Sequence, residues 1–225
     1  MNRWAYCGVM RAVFHEQLSD LTGQLGLTCE LTGEAMRQAT QALLSADLVL
    51  AETAISKDDE ISALSKDSEE RAFALLAAGP AEEDLRAAVG QMQVVVDLRR
   101  MGALARHVGN VARRRHPLHA VPVEVHRQFA QMGEIAVALS SAARQALLTQ
   151  NPVAAAKLQA EDDAMDALHE QLFSLLLGSE WQHGVGSAVD VALLGRYYER
   201  FADHAVQIGR RVRFAATGIP LSQTG

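Results

Sequence analysis

The sequence lacks the features of disulfide-rich, membrane-spanning, secreted and nucleic-acid-binding proteins. Its two cysteines, Cys7 and Cys29, are too few for a disulfide framework and fit a reducing compartment. No apolar run approaches the roughly 18 residues needed to span a bilayer, and the amino terminus lacks the apolar core and cleavage site of a signal peptide. A net charge of -6 argues against a basic nucleic-acid-binding face. The sequence therefore predicts a soluble, cytoplasmic protein that does not bind nucleic acid.

Proline is also scarce, with 5 of 225 residues, and glycine, with 16, is no more than ordinarily frequent. Ala, Leu, Glu, Gln and Arg dominate, and apolar residues recur three or four apart, as on one face of a helix, rather than in the alternation of a strand. The pattern predicts an all-α fold built from long helices, which is typical of bundles. The helix-breaking residues divide the chain into six helical stretches, at about 10–45, 47–78, 80–115, 123–149, 152–178 and 186–216.

The chain repeats internally. Residues 41–44 and 145–148 both read QALL, at an offset of 104, and residues 97–114 resemble 197–214 at an offset of 100. Two tandem units of three helices explain both offsets, because a shorter loop in one unit accounts for the difference. We predict two tandem antiparallel three-helix bundles with loose termini. The predicted boundaries are 10–116 for the first bundle, 117–217 for the second, and 1–9 and 218–225 for the termini.

Two pairs of carboxylates stand four residues apart in the second unit, Asp162 with Asp166 and Glu199 with Asp203. Residues at this spacing share a helix face, where like charges repel by a few tenths of a kcal/mol. In a hairpin that turns near residues 181–184, both pairs lie at the same height. Gathered carboxylates favour a cation, and oxygen ligands suit Mg²⁺, Ca²⁺, Mn²⁺ or iron. We predict a metal site here, and solvated surface acids are the alternative interpretation. Asp163 is a further candidate ligand.

Three segments resemble the PhoU family of phosphate-specific transport accessory proteins: MRAVFHEQL at 10–18, EDDAMDALH at 161–169 and YERFADHAVQIG at 198–209. The acidic E(D)xxxD motif of that family falls on Glu199 and Asp203. The RMGALA stretch at 100–105 is similar to the mycobacterial and actinobacterial branch. The resemblance implies two three-helix bundles that carry metal clusters on these motifs. It also implies a cytoplasmic regulator that damps phosphate uptake and phosphate-starvation signalling.

The resemblance implies a metal-binding adaptor, not an enzyme, whose partners are the phosphate transporter ATPase and a sensor histidine kinase. The expected cofactor is a divalent or multinuclear metal, namely iron, zinc, manganese or magnesium, mainly in the second bundle. A homodimer is also expected, because long bundles often leave an apolar face uncovered. Two other functions remain open, a metal-dependent phosphoester hydrolase and a metal-free helical scaffold.

The first unit departs from the acidic pattern. Ser62, Arg99 and Ala103 stand where the second unit has acids, and of the four equivalent positions only Asp58 is acidic. The fixed charge of Arg99 opposes a divalent ion by about 2 kcal/mol or more at an effective dielectric constant of 20. We therefore expect little or no metal in the first bundle. Arg99 is expected to pair with Asp58 or Asp97 instead.

Two further groups are predicted to have structural roles. His204 points about 100° away from Asp203 around the helix, so we expect it to pack or form a hydrogen bond rather than ligate. Arginines at 113–115 and at 210, 211 and 213 lie near the ends of the third and sixth predicted helices. Basic residues at these ends are favoured by the helix dipole.

Overall fold

A computed structural model describes residues 3–79, 82–179 and 181–219, and within these ranges the chain forms six α-helices and no strand. A single 3-10 turn at Val123–Val125 precedes the fourth helix. The prediction of an all-α fold is confirmed. None of the helices in the described ranges is both long and apolar enough to cross a membrane. The helices are α1 (Arg3–Ser45), α2 (Leu48–Ala77), α3 (Glu82–Arg115), α4 (His126–Thr149), α5 (Pro152–Leu177) and α6 (Gly184–Thr217).

The helix ends follow from local chemistry. Asp47 caps α2, its carboxylate accepting a hydrogen bond from the Leu50 amide at 3.0 Å. Asn151 caps α5 in the same way, with Pro152 in the first turn. The carboxyl end of α6 is closed by Gly218, whose φ of 68° lies in the left-handed region that glycine tolerates.

One boundary differs from the prediction. α1 begins at Arg3 rather than near residue 10, so the backbone of most of the predicted loose amino terminus is helical. The segment contains no proline, and a single glycine weakens a helix by only about 1 kcal/mol without ending it. Most of the predicted loose carboxyl terminus, residues 220–225, lies outside the described residues.

The helices pack as two groups of three, α1–α3 and α4–α6, and the two groups also pack on each other through α1 against α4 and α3 against α6. The two predicted bundles are therefore present. The packing of the two bundles against each other was not predicted, because the sequence repeat carries no information on how the units meet. This packing places α6, which carries Glu199 and Asp203, between α5 and α3.

The contact between α1 and α4 depends on small residues at seven-residue spacing. A Cβ atom added to Gly33 would lie 3.1 Å from the hydroxyl oxygen of Ser140, and one added to Gly133 would lie 2.5 Å from the Thr40 methyl carbon. The absent side chains let the two helices approach closely. The Thr40 hydroxyl also forms a 2.7 Å hydrogen bond with the hydroxyl of the fully buried Tyr198, which ties α1 to α6.

Two buried aspartates join α3 to α6. Asp97 accepts hydrogen bonds from His204 Nδ1 at 3.0 Å and from Arg211 Nε at 2.6 Å. The predicted hydrogen-bonding role of His204 is thereby confirmed. Arg211 does more than complement a helix dipole, because it links the two bundles.

Asp190, near the start of α6, forms the second of these links. It accepts a 2.8 Å hydrogen bond from Arg114 and bonds to both Nε and Nη2 of Arg115. The arginine run at the end of α3 therefore contacts a buried carboxylate of the other bundle, which the sequence analysis did not predict.

The internal repeat is visible as a repeated close approach of helices. Gly109 of α3 lies against Ala51 of α2, where an added Cβ would be 3.3 Å from the Ala51 carbonyl oxygen. Gly209 of α6 lies against Ala155 of α5, where the same distance is 2.9 Å. These pairs obey the two sequence offsets, 100 for the glycines and 104 for the alanines.

Replacing Gly209 with Ala is expected to destabilise the protein by about 1–3 kcal/mol, because the new methyl group overlaps the backbone of α5. Leu158 Cδ1 would also lie 2.6 Å from it. Gly23, in α1, is the matched control, since a Cβ there meets nothing within 4 Å, and Gly23→Ala should stabilise by up to about 1 kcal/mol. Urea denaturation measures both, and equal effects of the two substitutions would contradict the packing argument.

Candidate metal site

The hairpin of α5 and α6 brings the predicted acids together. Asp162 is 7% exposed, and its pKa is raised to about 7, first because burial disfavours the charged carboxylate. Four neighbouring negative charges raise its pKa further. They belong to Asp166, Asp203, Glu199 and Asp163. The other four candidate ligands therefore all lie close enough to Asp162 to raise its pKa.

Glu199 has an environment of its own within this cluster. Burial and the charge of Asp203 raise its pKa, whereas Arg196 and His169 act in the opposite direction. Arg196, one turn earlier on α6, donates a hydrogen bond to the Glu199 carboxylate. In this structure Glu199 is thus bound to a cation of its own helix.

His169 belongs to the same cluster and was missed by the sequence analysis. Its Nε2 atom is buried and has no hydrogen-bond partner in the described part of the chain, and its ring lies against Gly195, where an added Cβ would be 3.2 Å from Cδ2. A buried imidazole nitrogen without a partner is uncommon and is available to a metal ion. The signal was its spacing, three residues after Asp166 and seven after Asp162, on one helix face.

The cluster has the composition of a metal site but not a preformed geometry. Within the described residues, no three His, Cys, Asp or Glu side chains are positioned to hold one ion together. Mutual repulsion of the carboxylates and the bond from Arg196 to Glu199 are physical reasons for this spread. An ion would therefore bind by drawing these side chains inward and displacing Arg196. Carboxylate oxygens with one imidazole nitrogen suit manganese, iron or zinc.

The metal-free protein is expected to lose stability as the pH rises from about 4 to about 7. The folded-state pKa of Asp162, about 7, lies above its ordinary value of 3.8, so the folded state binds the proton more tightly than the unfolded state across this window. Deprotonation then places a further negative charge in the cluster. Urea midpoints of chelated protein, measured at several pH values, should show this fall in comparison with Asp162→Asn. Parallel pH profiles for the two proteins would contradict the prediction.

The equivalent positions of the first bundle also meet, but with different partners. Asp58, Ser62, Arg99 and Ala103 line a common pocket between α2 and α3, which agrees with the predicted matched heights. The expected partner of Asp58 is wrong, because Arg106 Nε, not Arg99, lies 3.0 Å from Asp58 Oδ2.

Arg99 does not pair with Asp97 either, since that carboxylate is bound to His204 and Arg211. Arg99 is exposed, and none of the described residues forms an ion pair or hydrogen bond with it. The two corrections have different physical reasons. Arg106 lies two turns further along the same face of α3 than Arg99 and reaches Asp58 there. Asp97 lies on another face of α3, which packs against α6.

The chain is similar to known proteins over nearly its whole length. The PhoU domain family model matches residues 27–112 and 129–212. The phosphate-specific transport system accessory protein PhoU homolog 2 of Mycobacterium tuberculosis is 57% identical over 210 residues, which cover 93% of this chain and 99% of that protein. The PhoU homolog 1 of Mycobacterium leprae is 54% identical, with 93% and 95% covered.

A solved structure supports the fold. The phosphate transport system regulatory protein PhoU from Streptococcus pneumoniae superposes with a TM-score of 0.82 at 25% identity, covering 92% of this chain and 98% of that one. The mycobacterial relatives confirm the branch indicated by the RMGALA stretch. Their names, which describe accessory proteins, agree with the prediction that the chain is not an enzyme.

Proposed function

Because the chain belongs to the PhoU family, we propose that it is a cytoplasmic regulator of phosphate uptake and phosphate-starvation signalling. The observation that carries the proposal is the 57% identity, over 93% of the chain, to a protein named as an accessory of phosphate-specific transport. The proposed regulation is negative.

We propose further that the regulator acts as a metal-binding adaptor. The acidic cluster of the second bundle supports this. A cation would stabilise the charged form of the buried Asp162, and it would give the Nε2 atom of His169 the partner that it lacks among the described residues. The five acids with His169 would hold the ion, which would hold α5 and α6 together and neutralise their facing charges. The proposed partners, a transporter ATPase subunit and a sensor histidine kinase, follow from the family. Association into a homodimer stays a prediction, which sedimentation analysis would test.

Deleting the gene is expected to derepress phosphate-starvation genes in phosphate-replete medium, because the negative regulator is then missing. Transcript levels measure this, in a strain that carries no second homologue. Normal repression in the deletion strain would contradict the proposed regulation.

Complementation tests the regulatory role and the role of the metal separately. The deletion strain should regain repression with the unaltered gene and with Asp59→Asn, which changes an exposed acid of the first bundle. The double substitution Glu199→Gln with Asp203→Asn should restore repression poorly. Full complementation by the double variant would leave the regulatory proposal intact and refute the role of the metal.

A further inference from the structure

A cationic pocket lies between α2 and α3, at the height where the second bundle carries its acids. Its volume is about 470 Å³. Four basic side chains line it, and two acidic ones. The basic residues are Lys66, Arg99, Arg100 and Arg106, and the acidic ones are Asp58 and Glu69.

Only one of the four cations in this pocket has an acidic partner among the described residues. Arg106 lies beside Asp58, with 3.0 Å between Nε and Oδ2, but its buried Nε makes no hydrogen bond to the described part of the chain. Lys66, Arg99 and Arg100 have neither an ion pair nor a hydrogen bond with any residue that the structure describes. Cations around one concavity repel each other, and an anion would relieve that repulsion.

The internal repeat places this pocket at the positions where the second bundle carries its acids. Ser62 and Arg99 stand at the positions of Asp166 and Glu199 in the second bundle, so the same frame holds the opposite charge. Gly102 lets α3 approach α2 closely at this height. A Cβ atom there would lie 2.8 Å from Ile61 and 3.3 Å from Asp58 Oδ1.

We propose that this pocket binds a phosphate-type oxyanion, either inorganic phosphate or the terminal phosphate of a phosphorylated small molecule. Planar guanidinium groups bind phosphate oxygens in a bidentate manner. A tetrahedral dianion offers oxygens to Arg99, Arg100 and Lys66 together, with the Ser62 hydroxyl as a neutral donor. A single carboxylate has only two oxygens and one charge, which is fewer than these groups can use.

The surroundings of the pocket favour a small anion over an extended one. The chain carries a net charge of -6, and α2 exposes Asp59, Glu60 and Glu70, which are next in sequence to the pocket acids Asp58 and Glu69. A nucleic acid or an anionic membrane would meet these carboxylates as well as the arginines. A single phosphate group needs only the pocket itself, where four cations outnumber two carboxylates.

The pocket shares no residue with the proposed metal site, and its test is made with a variant in which that site has been removed. Chelated protein that carries Glu199→Gln and Asp203→Asn would be titrated calorimetrically with inorganic phosphate and, separately, with inorganic triphosphate. Binding of phosphate identifies the free ion as the ligand. Binding of triphosphate alone identifies the terminal group of a larger phosphorylated molecule.

Substitutions then locate the anion. Arg99→Gln in this background should weaken binding about tenfold, since a charge-assisted bidentate contact is lost, and Arg99→Lys should weaken it less. Arg127→Gln is the matched control, because Arg127 is also exposed and has no ion-pair partner among the described residues, but lies outside the pocket. Arg99 also has no ion-pair partner among the described residues, so its variants should have the melting temperature of the parent protein.

Three outcomes would overturn the proposal. The first is no binding of either phosphate compound. The second is equal weakening by Arg99→Gln and Arg127→Gln, which would place the anion elsewhere. The third is an acidic peptide that binds as tightly as phosphate and competes with it, which would make the pocket a general site for carboxylates.

Discussion

Replacing Glu199 with Gln together with Asp203 with Asn is expected to remove nearly all of the metal that the protein holds after purification without chelator. The two carboxylates lie on the α6 side of the cluster, facing the α5 acids, and both raise the pKa of Asp162. Without them the α5 acids must hold a cation alone. Elemental analysis gives the metal content per chain for both proteins.

Asp58→Asn is the control, and it should remove almost no metal. Asp58 is the acid of the first bundle that stands at the position of Asp162, but Arg106 lies 3.0 Å from it and Arg99 lines the same pocket. These cations oppose a divalent ion at short range. If Asp58→Asn lost half of the metal, or the double variant kept most of it, a single site in the second bundle would be wrong.

A metal-free outcome for the unaltered protein would have a different meaning. No metal after purification without chelator, and a melting temperature that does not change on adding manganese, iron or zinc, would favour the helical scaffold. Arg196 would then be the permanent partner of the Glu199 carboxylate. Arg196→Gln separates the two cases, because it should strengthen metal binding if Arg196 competes with the ion.

The features of the fold that the sequence predicted depend on local patterns. Most helix bounds follow from periodicity and from the helix-breaking residues between the six predicted stretches. The height of the acids in the α5–α6 hairpin follows from counting residues to its turn, and the clustering of Asp162 with the α6 acids agrees with this count. Both require only the 1.5 Å rise of a helix.

The features that it did not predict depend on how the helices pack against each other. Arg99 and Arg106 are seven residues apart on one face of α3, and only the height at which α3 packs against α2 decides which of them reaches Asp58. His169 was missed because only pairs of residues four apart were considered, whereas it lies three residues after Asp166 and seven after Asp162 on the same helix face. The joining of α3 to α6 through Asp97 involves residues more than 100 positions apart, where helix periodicity carries no information.

Replacing Asp97 with Asn is expected to destabilise the protein by about 2–4 kcal/mol, the largest single-residue effect that we predict. The side chains of Asp97, His204 and Arg211 are only 5%, 12% and 18% exposed. Removing the one negative charge would leave the Arg211 guanidinium largely buried without a counter-ion, which costs more than the lost pair itself. The amide keeps the volume of the side chain, so the loss reports charge rather than a cavity. Urea denaturation gives the change in free energy of unfolding.

Asp190→Asn is the matched comparison, since Asp190 is equally buried and also joins α3 to α6. Its partners Arg114 and Arg115 are 61% and 42% exposed, so water can solvate both after the charge is lost. We therefore expect about 1–2 kcal/mol, less than for Asp97. Amide hydrogen exchange should also increase along α3 and α6 more in Asp97→Asn than in Asp190→Asn. The reverse order of the two free-energy changes would show that partner burial does not determine the strength of this interface.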